Sequence, residues 1–212
     1  MSIVERSVRF VRGALLSYGP SPVKRLIWNR EYSRKKWAFA ENSIGDCVYE
    51  HLEKYAQHGS ILDMGCGSGN TANELLATAY ERYLGVDISQ EALDKAAQRS
   101  KENGRQDKNH FDCGDLLTYA PQGQFDVILF RESMYHVPLG KIKSTLDHYT
   151  PYLKSNGVFI VRLFAADFEN NDKQRPNAML AIMEQEFEVI ERRQYPVPGK
   201  PTVIVFRPKR KN

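Results

Sequence analysis

The stretch "FRESMYHVP" places Arg131, Glu132, Ser133, Met134, Tyr135 and His136 directly behind the apolar run 127–130. A guanidinium, a carboxylate, a hydroxyl, a phenol and an imidazole thus stand together at the exit of a buried strand. These are the groups that move protons and hold polar substrates. His136 has an unperturbed pKa of roughly 6.5, suited to taking a proton from a hydroxyl or an amine near neutrality. Glu132 suits a general base or a partner for a cationic amine. Tyr135 can shape a site or offer its hydroxyl, and Arg131 can anchor a carboxylate or phosphate. His136, Glu132 and Tyr135 are therefore the candidate catalytic residues. The structural alternatives are a backbone bond for His136 ahead of the next helix and an ion pair for Arg131.

A second constellation lies in "ILDMGCGSGN", residues 61–70. An apolar strand ends in Asp63, and Gly65, Gly67 and Gly69 follow at alternate positions. Glycines let the backbone turn sharply and approach a ligand with no Cβ in the way. The free N–H groups of the helix that follows suit an anionic or strongly polar ligand. Cys66, between two of these glycines, reads as packing beside the ligand. Asn70 stands where the dinucleotide fingerprint G-x-G-x-x-G would have its third glycine. Two further acids follow. Asp87 ends the next strand in "GVDIS", roughly 20 residues on, where an acid binds ribose hydroxyls. Asp115 lies in "CGDLL" after the third strand, where a carboxylate can accept from an adenine amino group. Asp63 and Asp87 could also serve only as a strand end and a helix cap.

These residues need strands that end on a common edge. Strand patterns fall at 60–64, 82–87, 109–113, 125–130 and 157–164, with helical patterns at about 70–79, 90–103 and 139–153 between them. Strands alternating with helices mean βαβ units and a mostly parallel sheet. The tail breaks the pattern. "FEVIERRQYPV" and "PTVIVFRP" are joined only by "PGK", which allows a hairpin and no helical crossover. A helix is predicted over about 42–56, with Ile44, Val48, Leu52 and Tyr55 on its apolar face.

Taken in order, "ILDMGCGSGN", "GVDIS", "CGDLL", "FDVILFRESMYHV" and "YLKSNGVFIV" resemble the successive motifs of the class I S-adenosylmethionine-dependent methyltransferases of small-molecule type. The resemblance covers about residues 42–207. It implies an α/β, three-layer Rossmann-like sheet of seven strands, mostly parallel with an antiparallel C-terminal strand. It implies S-adenosylmethionine as cofactor and S-adenosylhomocysteine as product. Asp63, Gly65 and Gly67, with Cys66 and Asn70 in the same turn, would lie under the methionine part. Asp87 would bind the ribose hydroxyls and Ile88 would pack on the adenine. Asp115 would read the adenine amino group and Leu116 would cover the ring. The strand-exit backbone near Arg131 would lie against the cofactor. Some amine methyltransferases carry an acid followed by two aromatics here; this chain has Tyr135 and His136 instead.

The first 41 residues read as a separate helical, basic and aromatic lid before the domain at 42–212. Residues 1–36 carry nine Lys and Arg against two Glu, a net of +7, so the net +4 of the whole chain leaves −3 for residues 37–212. Tyr18, Trp28, Tyr32, Trp37 and Phe39 lie among those charges. Lids over the cofactor often precede the first strand in this family, and an aromatic face attracts a sulfonium, so Tyr32 and Trp37 join the cofactor-contact candidates. The segment could instead pack on the sheet, or residues 1–17 could lie on an anionic membrane surface.

Composition is that of a globular protein, 42% apolar and 26% charged, with no stretch near the ~20 apolar residues of a membrane span. Three cysteines without CxxC spacing argue for a reducing, cytoplasmic setting and against zinc; the five scattered histidines give no metal spacing. The expected partner is a small molecule, acting on a monomer or homodimer, with no nucleic acid. The reading is a methyl transferase acting on oxygen or nitrogen of a small molecule or glycan-type metabolite. A nucleic-acid or protein methyltransferase and a non-catalytic cofactor-binding module are the alternatives. The lid, the 131–136 loop and the insertion 165–176 are expected to line the pocket.

Overall fold

The computed structural model describes residues 3–38, 41–165 and 174–209, with side chains from residue 7 onward. Most of the predicted insertion therefore lies outside the described residues. Seven strands form one sheet: β1 (Ser60–Met64), β2 (Arg82–Asp87), β3 (Asn109–Cys113), β4 (Phe125–Arg131), β5 (Leu153–Leu163), β6 (Glu188–Gln194) and β7 (Thr202–Arg207). Their order is β3-β2-β1-β4-β5-β7-β6. All pairings are parallel except those of β7, which runs antiparallel to both β5 and β6. The short 195–201 connection permits only that hairpin.

The inner strands read as continuous apolar runs because both faces are covered. Alternate residues face opposite sides. Leu62, Met64, Ile128, Phe130, Phe159 and Val161 pack with α6 (Ile142–Tyr149) and α7 (Gln174–Glu186). Ile61, Val127, Leu129, Val158 and Ile160 pack with α3 (Val48–Ala56) and the short α4 (Asn70–Glu74). The amphipathic α5 (Gln90–Glu102) packs on β2 and β3. β1 has β2 on one side and β4 on the other, so the chain reverses direction across the sheet between β1 and β4. The carboxyl edge at that switch point is where open α/β sheets bind ligands. The helices α1 (Ile3–Tyr18) and α2 (Ser21–Ser33) precede this unit.

Three helix boundaries differ from the sequence pattern, and the strand expected from 157 begins four residues earlier. The helix expected from 42 starts at Val48, because Gly45 adopts φ +80° and Asp46 accepts from the Val48 N–H at 3.0 Å, turning the chain before the helix. Ile44, expected on its apolar face, is 80% exposed. The helix expected over 70–79 stops at Glu74; Leu75 turns to an extended backbone and buries its side chain. The helix expected over 139–153 is α6 with single tight turns before and after it, and β5 starts at Leu153, where the ladder to β4 is irregular near Phe125.

Phe159 is fully buried and stacks on Phe206 at 5.4 Å. Phe159→Ala should lower the unfolding free energy by about 3–5 kcal/mol, whereas Ile44→Ala should stay within about 0.5 kcal/mol. Urea denaturation measures both; comparable losses at the two positions would contradict this placement of the core.

Candidate active site at the strand ends

After β1 the chain folds into the glycine turn. Gly65 and Cys66 both donate their N–H to the Val86 carbonyl, at 2.7 and 3.0 Å, which binds the turn to β2. Gly65 has φ +85° and Gly67 φ +54°, a region costly for residues with a Cβ. Space is closed at both positions as well. A Cβ on Gly65 would lie 2.5 Å from the Cβ of Ser133, so the β4 exit presses directly on the turn. A Cβ on Gly67 would lie 2.8 Å from the Tyr32 hydroxyl.

Asp87 ties this turn to the next strand. Its Oδ2 accepts from the Gly67 N–H and its Oδ1 from the Ser89 N–H, both at 2.9 Å. Ser89 in turn caps α5 through the Ala92 N–H. Burial pushes the Asp87 carboxyl up, and the backbone donors at Ser89 and Gly67 oppose that. A carboxylate has about four acceptor sites, so two remain for ribose hydroxyls. Asp63 is 1% exposed; Tyr83 donates to its Oδ2 at 2.6 Å, and its Oδ1 has no partner. Burial raises it to about 6. An orphaned carboxylate oxygen beneath a glycine turn suits a ligand ammonium group, so the residues present fit the amino-acid end of S-adenosylmethionine.

One face of α2 crosses these strand ends. Ser21 and Lys24 donate to Asp115 Oδ2 at 2.7 and 3.1 Å, past the end of β3. Trp28 meets the His136 ring edge-on at 5.0 Å, past β4. Asn29 accepts from Ser89 at 2.8 Å, past β2, and Tyr32 covers Gly67, past β1. Burial would raise the Asp115 carboxyl, but the Leu117 N–H, Ser21 and Lys24 hold it below the usual range. Reading an adenine at Asp115 therefore requires this seat of α2 to share or yield the carboxylate. A cleft of about 430 Å³ opens there, lined by Tyr18, Ser21, Lys24, Asp115, Thr118 and Lys141 among others.

The β4 exit carries a compact charge cluster. Arg131 pairs with Asp46 at 2.8 Å and lies over the Tyr49 ring. Arg162 of β5 bridges Asp46 at 3.2 Å and Glu132 Oε1 at 2.5 Å. The two carboxyls are driven apart. Burial would raise Asp46, yet Arg131 and Arg162 hold it below the usual range. Burial pushes Glu132 up to about 7 against the Arg162 charge. Glu132 also has φ +57°, and its Oε2 is buried with no partner. A non-glycine residue held there costs on the order of 1–3 kcal/mol and persists only where its surroundings fix it.

The sequence candidates separate accordingly. Asp63, Gly65, Gly67, Asp87, Glu132, His136 and Tyr32 converge on the strand ends. Arg131, expected to be available to a substrate or cofactor, is instead held by Asp46. The Tyr135 hydroxyl donates to the Phe164 carbonyl at 3.0 Å. Cys66 is buried against Gly85, its thiol pushed up by burial. Asn70 is the first residue of α4 and bonds Ser43 and Arg99. Trp37 is held against α2, its indole N–H on Glu31 at 3.0 Å and its ring on Trp28. Ile88 and Leu116 are half-buried beside Asp87 and Asp115, and Leu116 accepts from Tyr149 through its carbonyl. Phe39 lies outside the described residues. Sequence reasoning gave no role to Ser133, whose buried hydroxyl has no partner, nor to Asp46, Ser21, Lys24 and Arg162. Only Arg162 left a signal, as a lone cation inside the apolar run "VFIVRLF". Among the described residues no three His, Cys, Asp or Glu are grouped to hold a metal ion, and no helix is long and apolar enough to cross a membrane.

The strand order, the antiparallel β7 and the glycine turn at the switch point define a Rossmann-like methyltransferase fold. The profile of the methyltransferase domain family matches residues 36–195. The chain belongs to that family, with α1 and α2 outside the matched stretch. Among curated relatives, a sterol 24-C-methyltransferase of Gibberella zeae is 25% identical over 165 residues, covering 73% of this chain and 42% of that protein. The chain spans less than half the length of the curated relatives it matches. Among solved structures, the N-methyltransferase NodS of Bradyrhizobium japonicum, in complex with S-adenosyl-L-homocysteine, superposes with a TM-score of 0.66 at 18% identity, covering 86% of this chain and 99% of that one. The magnesium protoporphyrin IX methyltransferase of Synechocystis, with bound S-adenosylmethionine, gives 0.63 at 15% identity, covering 88% and 96%. These two likenesses show the fold.

The Glu132 environment has a consequence for stability. Its folded value of about 7 lies above the unfolded-chain value of about 4.3. Between these values the folded state binds more protons, so the stability Glu132 contributes is full below about pH 4 and is lost as pH rises through 7. The unfolding free energy of the native chain should therefore fall relative to Glu132→Gln from pH 4.5 to 7.5. Urea titrations across that range check this, and a constant difference would refute it.

Proposed function

We propose that this chain transfers a methyl group from S-adenosylmethionine to an oxygen or nitrogen of a small molecule or glycan-type metabolite. The observation that carries the reading is the convergence on one sheet edge of the glycine turn, Asp63, Asp87 and Asp115 with Glu132 and His136 of the neighbouring strand exit. The family membership and the neighbours bound to S-adenosyl-L-homocysteine and S-adenosylmethionine support the cofactor. NodS, an N-methyltransferase, supports a nitrogen acceptor as one case.

S-adenosylmethionine supplies a methyl group activated on a sulfonium. The chain's part is alignment, exclusion of water and management of the acceptor's proton. Asp63 and the glycine turn hold the amino-acid end, Asp87 holds the ribose hydroxyls, and Asp115 reads the adenine once α2 yields it. Tyr32, its hydroxyl over Gly67, covers the turn and excludes water. Glu132 would take the O–H or N–H proton that the acceptor gives up on methylation, through its Oε2. Three features support that residue: the unpartnered Oε2, the position beside Ser133 and the glycine turn, and a carboxyl that changes charge near pH 7, where a general base works best. His136, packed on Trp28, orients the acceptor.

The two parts of the reading separate experimentally. Asp87→Ala should weaken S-adenosylhomocysteine binding at least about tenfold, since it removes charge-assisted bonds. Isothermal titration measures it, and undiminished affinity would remove the cofactor assignment. Glu132→Gln should leave that affinity within about twofold while lowering kcat about 10²–10⁴-fold and abolishing a rise in kcat as pH passes through 7. Normal turnover in this variant would leave proximity alone as the source of catalysis.

A further inference from the structure

The helix α1 is seated with its polar side inward. Arg12 forms two bonds to Glu31 of α2, at 2.7 and 2.8 Å, and lies over the Trp28 ring. Leu16 is the buried anchor next to it. The adjoining arc, residues 8, 11, 15 and 18 at helical spacing, is apolar and faces solvent. Val8 is 63% and Val11 55% exposed, with Leu15 and Tyr18 continuing the row and Phe10 beside it at 78%. A helix that belonged to the core would bury this row. The adjoining α2 repeats the arrangement. Its inner face holds Lys24, Trp28 and Tyr32 on the strand ends, while Leu26, 70% exposed, and Arg30 stand on the side away from them.

Two occupants could cover such a face, and charge decides between them. The segment carries +7 while the remainder of the chain carries −3. Arg25, Arg30, Arg34 and Lys35 are exposed, and none has an ion-pair partner among the described residues. A second copy docking by the same face would bring these like charges together. An anionic lipid surface complements them, and it also accepts an exposed apolar row a few ångströms into the headgroup boundary.

We infer that the outer face of α1, with Leu26 and the basic residues of α2, docks the protein on an anionic membrane surface. The row of α1 ends at Tyr18, which also lines the cleft beside Asp115. Docking by this face therefore sets that cleft close to the lipid headgroups. The inference concerns the surface alone and stands independently of the methyl acceptor.

Co-sedimentation of the full chain with vesicles tests it. The native chain should sediment with phosphatidylcholine–phosphatidylserine vesicles, far less with phosphatidylcholine alone, and less as salt screens the charges. Arg25→Glu with Arg34→Glu should weaken binding to the anionic vesicles roughly tenfold or more. Val8→Asp with Val11→Asp should abolish it, with the circular-dichroism melting curve unchanged because both side chains are exposed. Absence of vesicle binding, equal binding to neutral and anionic vesicles, or full binding by the Asp pair would each overturn the inference. So would a concentration-dependent dimer in ultracentrifugation that the Asp pair dissolves while vesicle binding is absent, since the face would then belong to a second copy.

Discussion

The carboxylate of Asp87 is the tie on which the site depends. Its two oxygens take the N–H groups of Gly67 and Ser89, so one side chain fixes the glycine turn after β1 and the start of α5 after β2. Those N–H groups sit where parallel strands end and the ladder no longer satisfies them. Leaving them unpaired in a buried site would cost on the order of 1–3 kcal/mol each. The same carboxylate is half-buried and keeps acceptor sites to spare, so the group that closes the turn also suits a hydroxylated ligand.

The edge built around this tie is covered from one side by α2 and underlain from the other by the charge cluster. Lys24, Trp28, Asn29 and Tyr32 lie on neighbouring arcs of one helix and reach the ends of four different strands. Their contacts are polar or aromatic rather than aliphatic, so the cover is held by a few directed bonds. Such a cover can leave its seat at less cost than one interlocked through a core. Below it, Asp46 and Glu132 share Arg162 yet are driven to opposite protonation behaviour. Asp46 pairs with two guanidiniums and stays ionised; Glu132 pairs with one and is dominated by burial. Pairs separated in this way are a recurrent mark of sites that handle protons.

Much of the scaffold was legible because the inner strands β1 and β4 are short and apolar, and most strands are bounded by turn residues. β1, β2 and β3 coincide with their sequence patterns, and the 195–201 link announced the terminal hairpin. Helix ends were read less well. Ile44, Leu75 and the residues around Pro138 and Pro151 have helix-compatible patterns, but turn geometry and the demands of packing overrode them. The glycine turn and the acids Asp63 and Asp87 were legible from position alone, because strand ends in a parallel sheet share an edge. Arg131, Tyr135 and Trp37 were not separable from Glu132, His136 and Tyr32 by sequence. Their partners, Asp46, Phe164 and Glu31, lie as far as 85 residues away.

By itself, then, the sequence determined the alternation of strands and helices, the family motifs and the sheet edge on which the glycine turn and the strand-end acids gather. Those follow from hydrophobic period, glycine spacing and strand-end carboxylates, which are local properties. Tertiary structure decided which polar groups are satisfied and which remain available. It joined Arg131 to Asp46, left one oxygen of Glu132 and one of Asp63 without partners, laid α2 across the strand ends and turned the apolar row of α1 outward. The physical reason is that burial and pairing belong to surroundings assembled from distant segments, and no spacing along the chain records them.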